Sequence, residues 1–168
     1  RHASRLLCSY CGHVIPLPET CVSCSGSRMQ LIGEGTERVE EDAKRLFPHA
    51  TVIRLDGGTM RRPEQAETLW GKVEQGGWDI IVGTQLLLRR GSLPAMGLVG
   101  IVQADAGLTV PNFQSAERAY HTLLDAISLA DSAEAGGQVI VQTNLSSHHA
   151  IQAVVKNDES VFLTEELS

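Results

Sequence analysis

The sequence predicts an α/β domain built on a parallel β-sheet, with a small metal-binding module in front of it. Segments that are apolar throughout alternate with segments in which apolar residues recur at helical spacing. Continuous apolar strands are typical of a parallel sheet whose two faces are both covered by helices. All four cysteines fall within the first 24 residues, where long apolar segments are rare. We therefore predict a partial cysteine module over 1–28 and an α/β domain over 29–168.

The alternation places the elements of the α/β domain in order along the chain. A short, mostly apolar run over 29–32 comes first. Thr36, as an N-cap followed by acidic residues, begins a helix that Pro48 ends, and Pro63 begins a second helix that a Gly-Gly pair ends. The predicted strands cover 51–56, 78–83, 98–104 and 138–143, and the predicted helices cover 36–47, 63–74, 114–131 and 148–156.

Charge and composition restrict the classes of function. The 168 residues carry a formal net charge of −6, and only 4% of them are aromatic. A broad nucleic-acid-binding face needs clustered Lys and Arg, but here the only arginine doublets are Arg61–Arg62 and Arg89–Arg90. No apolar run approaches the length of a membrane span, so no membrane partner is expected. Because the chain begins with Arg1 rather than Met, we expect it to be a piece of a longer protein.

The four cysteines predict a structural zinc site. They form two C-x-x-C pairs, Cys8 with Cys11 and Cys21 with Cys24, separated by nine residues. A C-x-x-C turn directs two thiolates at one tetrahedral ion, and two such turns complete a four-cysteine site. The alternatives are buried free thiols or a redox pair, and the clustering of four thiols argues against both.

Polar residues follow two of the predicted strands at the edge where ligands of open α/β sheets bind. Gly83, Thr84 and Gln85 end one strand, and Asp105 follows another. The alternative interpretation is that these are ordinary turns and caps. No G-x-x-x-x-G-K-[ST] motif is present, so the chain has no phosphate cradle of its own. The pair His148–His149 is interpreted as a helix cap, and the acidic residues over 37–42 as a solvated helix face.

A family resemblance runs nearly collinearly along the whole chain. It is carried by Leu7-Cys8-Ser-Tyr-Cys11-Gly12, Cys21-Val-Ser-Cys24, Gly33-Glu-Gly-Thr-Glu-Arg-Val-Glu-Glu41, Leu46-Phe-Pro48, Asp79-Ile-Ile-Val-Gly-Thr-Gln85, Pro111-Asn-Phe113 with Ala116-Glu-Arg118, and Gln138-Val-Ile-Val-Gln-Thr143. Together these motifs resemble the PriA family, the superfamily 2 DNA helicases of bacterial replication restart. The resemblance implies that 29–168 is the second RecA-like, P-loop NTPase-like lobe of such a helicase and that 1–28 belongs to a zinc module inserted before it.

The resemblance also implies cofactors, partners and a location. ATP is a cofactor of the family, and Gly83, Thr84, Gln85 and Asp105 would face nucleotide or DNA. In the family eight cysteines bind two zinc ions, each ion taking cysteines from both halves of the module. The four cysteines here therefore either rearrange around one ion or leave both sites incomplete, and we expect one zinc. The implied partners are forked or single-stranded DNA, single-stranded DNA-binding protein and primosome proteins, in the bacterial cytoplasm. The lobe that carries the Walker A lysine lies outside this chain.

The chain departs from the family where helicase motif VI is expected. Counted without a gap from Glu117, this motif, similar to Gln-Val-x-Gly-Arg-Ala-Gly-Arg, falls on 125–132. Asp125 replaces the glutamine, and Leu129 and Ser132 replace the two arginines. In such ATPases these arginines stabilise transition-state charge on the γ-phosphate, and an arginine finger contributes roughly 10³- to 10⁵-fold in rate.

Three hypotheses for function follow. The first is a PriA-like replication restart protein that binds DNA forks and helps reload the replisome without ATP-driven unwinding, with this chain itself inactive as an ATPase. The second is one lobe of an active 3′–5′ DNA helicase in which Arg118 or Arg90 takes over the missing role. The third is a zinc-module adaptor that binds a protein partner, which the acidic charge favours.

Overall fold

The computed structural model describes residues 5–7, 13–27, 35–89, 93–108 and 114–166. The chain divides into two compact units, Arg1–Gly33 and Glu34–Ser168. The predicted domain boundary after residue 28 falls among residues outside the described ranges, so this boundary stays a prediction. No helix in the described ranges is long and apolar enough to cross a membrane.

The first unit contains a short antiparallel strand pair and a cysteine turn. Strand β1 (Arg5–Leu7) pairs with β2 (Val14–Pro16), so that Leu7 lies opposite Val14. Cys8 and Cys11 lie outside the described residues. The second cysteine pair follows β2 in a turn closed by backbone hydrogen bonds between Cys21 and Gly26 and between Cys21 and Ser25.

Within the described residues, the second unit contains five α-helices and four strands. Its elements are α1 (Thr36–Leu46), β3 (Val52–Leu55), α2 (Pro63–Gln75), β4 (Ile80–Gly83), β5 (Leu98–Ile101), α3 (Ser115–Ile127), β6 (Gln138–Val141), α4 (His149–Lys156) and α5 (Glu159–Glu166). Short 3₁₀ turns cover Gln85–Arg89, Ala104–Gly107 and Ala133–Ala135. The alternation predicted from the apolar pattern is therefore present, and the unit is α/β.

The strands form two parallel pairs. β3 pairs with β4, with Leu55 opposite Gly83, and β5 pairs with β6, with Ile101 opposite Val141. The parallel arrangement was predicted. In the described residues, however, the strands form two separate pairs rather than one continuous sheet. The apolar run over 29–32, predicted to come first in the domain, lies outside the described residues.

Each strand pair has its own apolar core. The cluster beside β5 and β6 contains eight buried residues: Ala104, Tyr120, Leu123, Ala150, Ile151, Ala153, Val154 and Phe162. The cluster beside β3 and β4 contains three: Leu55, Trp70 and Val73. Helix α1 buries none of its residues fully.

Three features differ from the sequence-based expectation. The N-cap of α1 is Gly35, and Thr36 is the first helical residue, because its hydroxyl bonds to the side chain of Asp56 instead of capping the helix. Helix α3 ends at Ile127, four residues earlier than predicted. Helix α5 was not predicted, although its Phe162 is 4% exposed and belongs to the larger core.

Candidate functional site

At the end of β4, a tightly packed glycine is followed by two solvent-exposed residues. A Cβ atom on Gly83 would lie 2.6 Å from the carbonyl oxygen of Leu55 and would also overlap the side chain of Leu87, so only glycine fits here. Thr84 and Gln85, which follow directly, are exposed at the carboxyl end of the β3–β4 pair. The predicted Gly-Thr-Gln element therefore combines a structural glycine with two accessible polar side chains.

Asp105, the candidate after β5, ties two strand ends together. Its carboxylate accepts a hydrogen bond of 3.1 Å from the backbone N–H of Asn144, which follows β6. Burial acts to raise the pKa of Asp105, but backbone hydrogen bonds and the side chains of Thr143 and Asn144 outweigh it, and the net pKa is lowered. This geometry fits the alternative interpretation of Asp105 as a turn cap, and its role toward a nucleotide or DNA stays a prediction.

An open cleft joins the end of β4 to helix α3. Its volume is about 380 Å³, and it is lined by polar side chains: Gln85, Gln114, Glu117, Arg118, His121, Thr122 and Asp125. Arg118 donates a hydrogen bond of 2.7 Å to the side-chain oxygen of Gln114. Of the four predicted nucleotide- or DNA-facing residues, Gln85 lines this cleft, whereas Gly83, Thr84 and Asp105 do not.

The stretch over 125–132, where motif VI is expected, connects α3 to β6 and is held by backbone hydrogen bonds. Ala130 forms a parallel bridge with Met96, because the N–H of Met96 donates to the carbonyl of Leu129 at 2.8 Å and its carbonyl accepts from Asp131 at 2.9 Å. The hydroxyl of Ser132 accepts from the N–H of Ala135 and caps a 3₁₀ turn. The two positions at which the family resemblance places arginines are therefore occupied by an aliphatic and a hydroxyl side chain.

A glycine fixes the exit from this stretch. A Cβ atom on Gly137 would overlap the carbonyl of Asp131, so the chain can pass this point only without a side chain. The N–H of Gly137 donates to the carbonyl of Ser132 at 3.0 Å, and β6 begins at the next residue. The stretch from Asp131 to Gly137 thus forms a tight turn that leads directly into β6.

Sequence reasoning missed a polar hub between α1 and the end of β3. Arg54 lies 3.0 Å from a carboxylate oxygen of Glu40, 3.2 Å from one of Glu37 and 3.5 Å from one of Asp56. Its Nε and Nη1 atoms are buried, and these ion pairs are too oblique to count as hydrogen bonds. Glu37 and Glu40, interpreted from sequence as a solvated face, therefore neutralise a half-buried cation.

Asp56 holds the other side of this hub. It is 8% exposed, accepts hydrogen bonds of 2.8 Å from the N–H groups of Gly58 and Thr59, and bonds to the hydroxyl of Thr36. Burial acts to raise the pKa of Asp56, but these hydrogen bonds and the charge of Arg54 outweigh it, so the net pKa is lowered. The signal in the sequence was an Arg and an Asp two residues apart, on one face of a strand end.

The described half of the predicted zinc site is the turn that contains Cys21 and Cys24. The backbone N–H groups of Cys24 and Ser23 donate to the thiol of Cys21, and these bonds lower its pKa. Such donors favour the thiolate, the form that binds metal. Within the described residues no group of three or more His, Cys, Asp or Glu side chains is placed to hold a metal ion. Two of the four predicted ligands, Cys8 and Cys11, lie outside the described ranges.

Comparison with known proteins identifies the family. No family model matches the sequence. The chain is 38% identical over 168 residues to the replication restart protein PriA of Bacillus subtilis, which covers all of the chain and 21% of that protein. It is 37% identical over 162 residues to PriA of Synechocystis and 33% identical over 164 residues to PriA of Thermotoga maritima, covering 96% of the chain and 20% and 22% of these proteins. The chain therefore belongs to the PriA family and spans about a fifth of the length of the curated relatives that it matches.

Proposed function

We propose that this chain is the second RecA-like lobe, with part of a zinc module, of a replication restart protein that binds DNA forks and helps reload the replisome without ATP-driven unwinding. The observation that carries the proposal is the whole-chain similarity to replication restart proteins named PriA, combined with the loss of both motif VI arginines. The partners proposed for the full-length protein are DNA, single-stranded DNA-binding protein and primosome proteins.

The proposed loss of ATP-driven unwinding follows from the absence of positive charge at the positions where motif VI is expected. A transferred γ-phosphoryl group is stabilised by fixed cationic donors, and Leu129 and Ser132 supply none. Asp125, which lines the cleft, places a carboxylate where the family resemblance expects a neutral amide. At this position an anionic phosphate would be repelled rather than bound.

The test is DNA-stimulated ATP hydrolysis by the full-length protein. We expect turnover at least about 10³-fold below that of PriA proteins with both motif VI arginines. The double substitution Leu129→Arg/Ser132→Arg should restore part of the turnover if the other lobe retains its phosphate-binding lysine. Wild-type turnover comparable to that of active PriA proteins would contradict the proposal.

A second candidate function is an active helicase in which Arg118, or Arg90, which lies outside the described residues, replaces the missing arginines. It is supported by the position of Arg118 in the same cleft as Gln85. The two candidates are separated by Arg118→Gln, which should abolish ATP hydrolysis only in the second case. Arg45→Gln, which removes an exposed arginine from α1, is the charge-matched control.

We also propose that Cys21 and Cys24, together with Cys8 and Cys11, hold one structural zinc ion. The hydrogen bonds that the Cys21 thiol accepts from two backbone N–H groups support this assignment. A closed site of four thiolates stabilises a fold and leaves no open position for catalysis. Metal analysis of this chain should give about one ion per chain, and Cys21→Ser should lower that content; zinc content near zero in folded protein would refute the site.

The adaptor hypothesis shares this zinc module and differs in its partner. It predicts that a protein bound through the module copurifies with the full-length protein whether or not DNA is present. Loss of that binding in Cys21→Ser, with fork binding unchanged, would favour the adaptor over the restart scaffold.

A further inference from the structure

The arginine pair Arg61–Arg62 places two adjacent, exposed cations in the second unit. Both side chains are exposed, and neither makes an ion pair or a hydrogen bond with the described part of the chain. On helix α1, by contrast, Arg38 and Arg45 both pair with the carboxylate of Asp42, at 3.8 and 2.7 Å. The pair is therefore a cationic doublet whose charge no ion pair within the described residues compensates.

The position of the pair makes this charge costly. Arg62 is the N-cap residue of α2, makes no capping hydrogen bond through its side chain, and is preceded directly by Arg61. Cations at the amino end of a helix oppose the helix dipole, and two adjacent like charges repel each other. The first turn of α2 also contains Glu64, but neither arginine forms an ion pair within the described residues. An external anion would reduce the repulsion between them.

The surroundings place the pair at an edge with further polar groups. The register of β3 and β4 brings their carboxyl ends side by side. The turn after β3 lies close to the turn after β4, since a Cβ atom added to Gly57 would lie 4.0 Å from the side chain of Leu86. Thr84 and Gln85 are exposed at this same edge. Ligands of open parallel sheets bind at the carboxyl ends of the strands.

We propose that Arg61 and Arg62 contact the phosphodiester backbone of DNA. The inference rests on the proposed function for its choice of DNA as the partner. Guanidinium groups bind phosphate oxygens in a bidentate manner, and a DNA strand offers phosphates in regular succession to two adjacent arginines. The contact depends on no nucleotide, so it would hold DNA in a protein that does not hydrolyse ATP.

The test compares two charge-matched variants of the full-length protein. Fork binding is measured by fluorescence anisotropy with a labelled forked oligonucleotide, from ~50 to ~200 mM salt, where phosphate contacts dominate the salt dependence. Arg61→Gln/Arg62→Gln should make the slope of log K against log salt shallower by about 1.8, because each lost duplex phosphate contact removes about 0.9. Arg38→Gln/Arg45→Gln loses the same charge from ion-paired residues and should leave the slope unchanged.

Two further measurements keep the outcome decisive. Arg61→Lys/Arg62→Lys retains the charge and should keep most of the slope, and the thermal unfolding midpoint of the glutamine variant should equal or exceed that of the wild type. The proposal is overturned if the glutamine variant keeps the wild-type slope or if the control variant loses the same amount. If the wild type binds the fork and the glutamine variant shows the same slope, the phosphate contact is refuted but the proposed restart function stands. If the wild type does not bind the fork, both proposals are refuted.

Discussion

Around β5 and β6, residues from α3, α4, α5 and the turn after β5 meet in one apolar cluster of eight buried side chains. Beside β3 and β4, the apolar cluster in the described residues contains only three buried side chains, and α1 is connected to the end of β3 through Arg54 and Asp56. The two halves share a parallel topology but differ in what stabilises them. Apolar burial is insensitive to pH and strengthened by salt, whereas an ion-paired hub responds to both.

The difference also separates the two candidate sites. The cleft with Gln85 and Asp125 lies against α3, a helix anchored in the larger core by Tyr120 and Leu123. The arginine pair follows β3 in the half with the smaller core. Perturbations of one half should therefore change one site more than the other.

The largest effect is expected from Phe162→Ala. Phe162 is 4% exposed, and its ring stacks on that of Tyr120 with centroids 4.3 Å apart and planes 4° apart. Removing a buried phenylalanine costs about 3–5 kcal/mol of unfolding free energy, because both the transfer of the ring from water and its packing are lost. Urea unfolding of this chain measures the change, and Leu163→Ala, at a 44% exposed neighbour, should cost under about 1 kcal/mol.

An intermediate effect is expected from Asp56→Ala in the other half. The substitution leaves the N–H groups of Gly58 and Thr59 without their acceptor and removes one of the three carboxylates around Arg54, at a cost of about 1–3 kcal/mol. Glu41→Gln, at an exposed residue of α1, is the control and should stay within about 0.5 kcal/mol of wild type.

The pH dependence of stability distinguishes the hub from simple packing. Because the folded-state pKa of Asp56 is lowered, its contribution is fully present above its usual pKa of about 3.9 and is lost as the pH falls through the folded value. The destabilisation by Asp56→Ala should therefore shrink in acid, while that by Phe162→Ala should not. Equal pH dependence in the two variants would remove the contrast between the halves.

The strands and most helices could be predicted because their signal is local. Continuous apolar runs predicted β3 to β6, and start and stop residues such as Pro63 and the glycine pair after α2 predicted its ends within one residue. Helix α5 was missed because its apolar residues Val161, Phe162 and Leu163 are consecutive rather than spaced by 3.6. Its burial depends on Tyr120, some forty positions away, which no local pattern contains.

The candidate site could be predicted only in part for the same reason. That Gly83, Thr84 and Gln85 end a strand follows from the sequence, but which of them shares a cleft with α3 depends on how the chain packs. The hub around Arg54 joins residues from α1 and β3, and its partners became visible only in three dimensions. Because Arg54 and Asp56 are separated by one residue, the sequence could have suggested that they share one face of a strand. It could not have shown that α1 lies against that face.

The smallest effect is expected at His148, which caps α4 in the apolar half. Its Nδ1 accepts a hydrogen bond of 3.2 Å from the N–H of Ala150, which requires an unprotonated nitrogen. Burial, and then the neighbouring ring of His149, lower the pKa of His148, while Glu166 acts in the opposite direction. The unfolded chain, with a histidine pKa of about 6.5, then binds more protons than the folded one as the pH falls below that value. Stability should therefore decrease on acidification below about pH 6.5 until the folded-state pKa is reached.

Two substitutions at this position separate the cap from the charge. His148→Asn can still accept the hydrogen bond but does not titrate, so it should match wild type near pH 7 and show a flatter profile below about pH 6.5. His148→Ala loses the cap and should cost about 0.5–1 kcal/mol at every pH. Thermal unfolding of both variants across this range provides the measurement. If His148→Asn keeps the wild-type slope, the acid sensitivity of the apolar half comes from another group, and His148 acts as a cap alone.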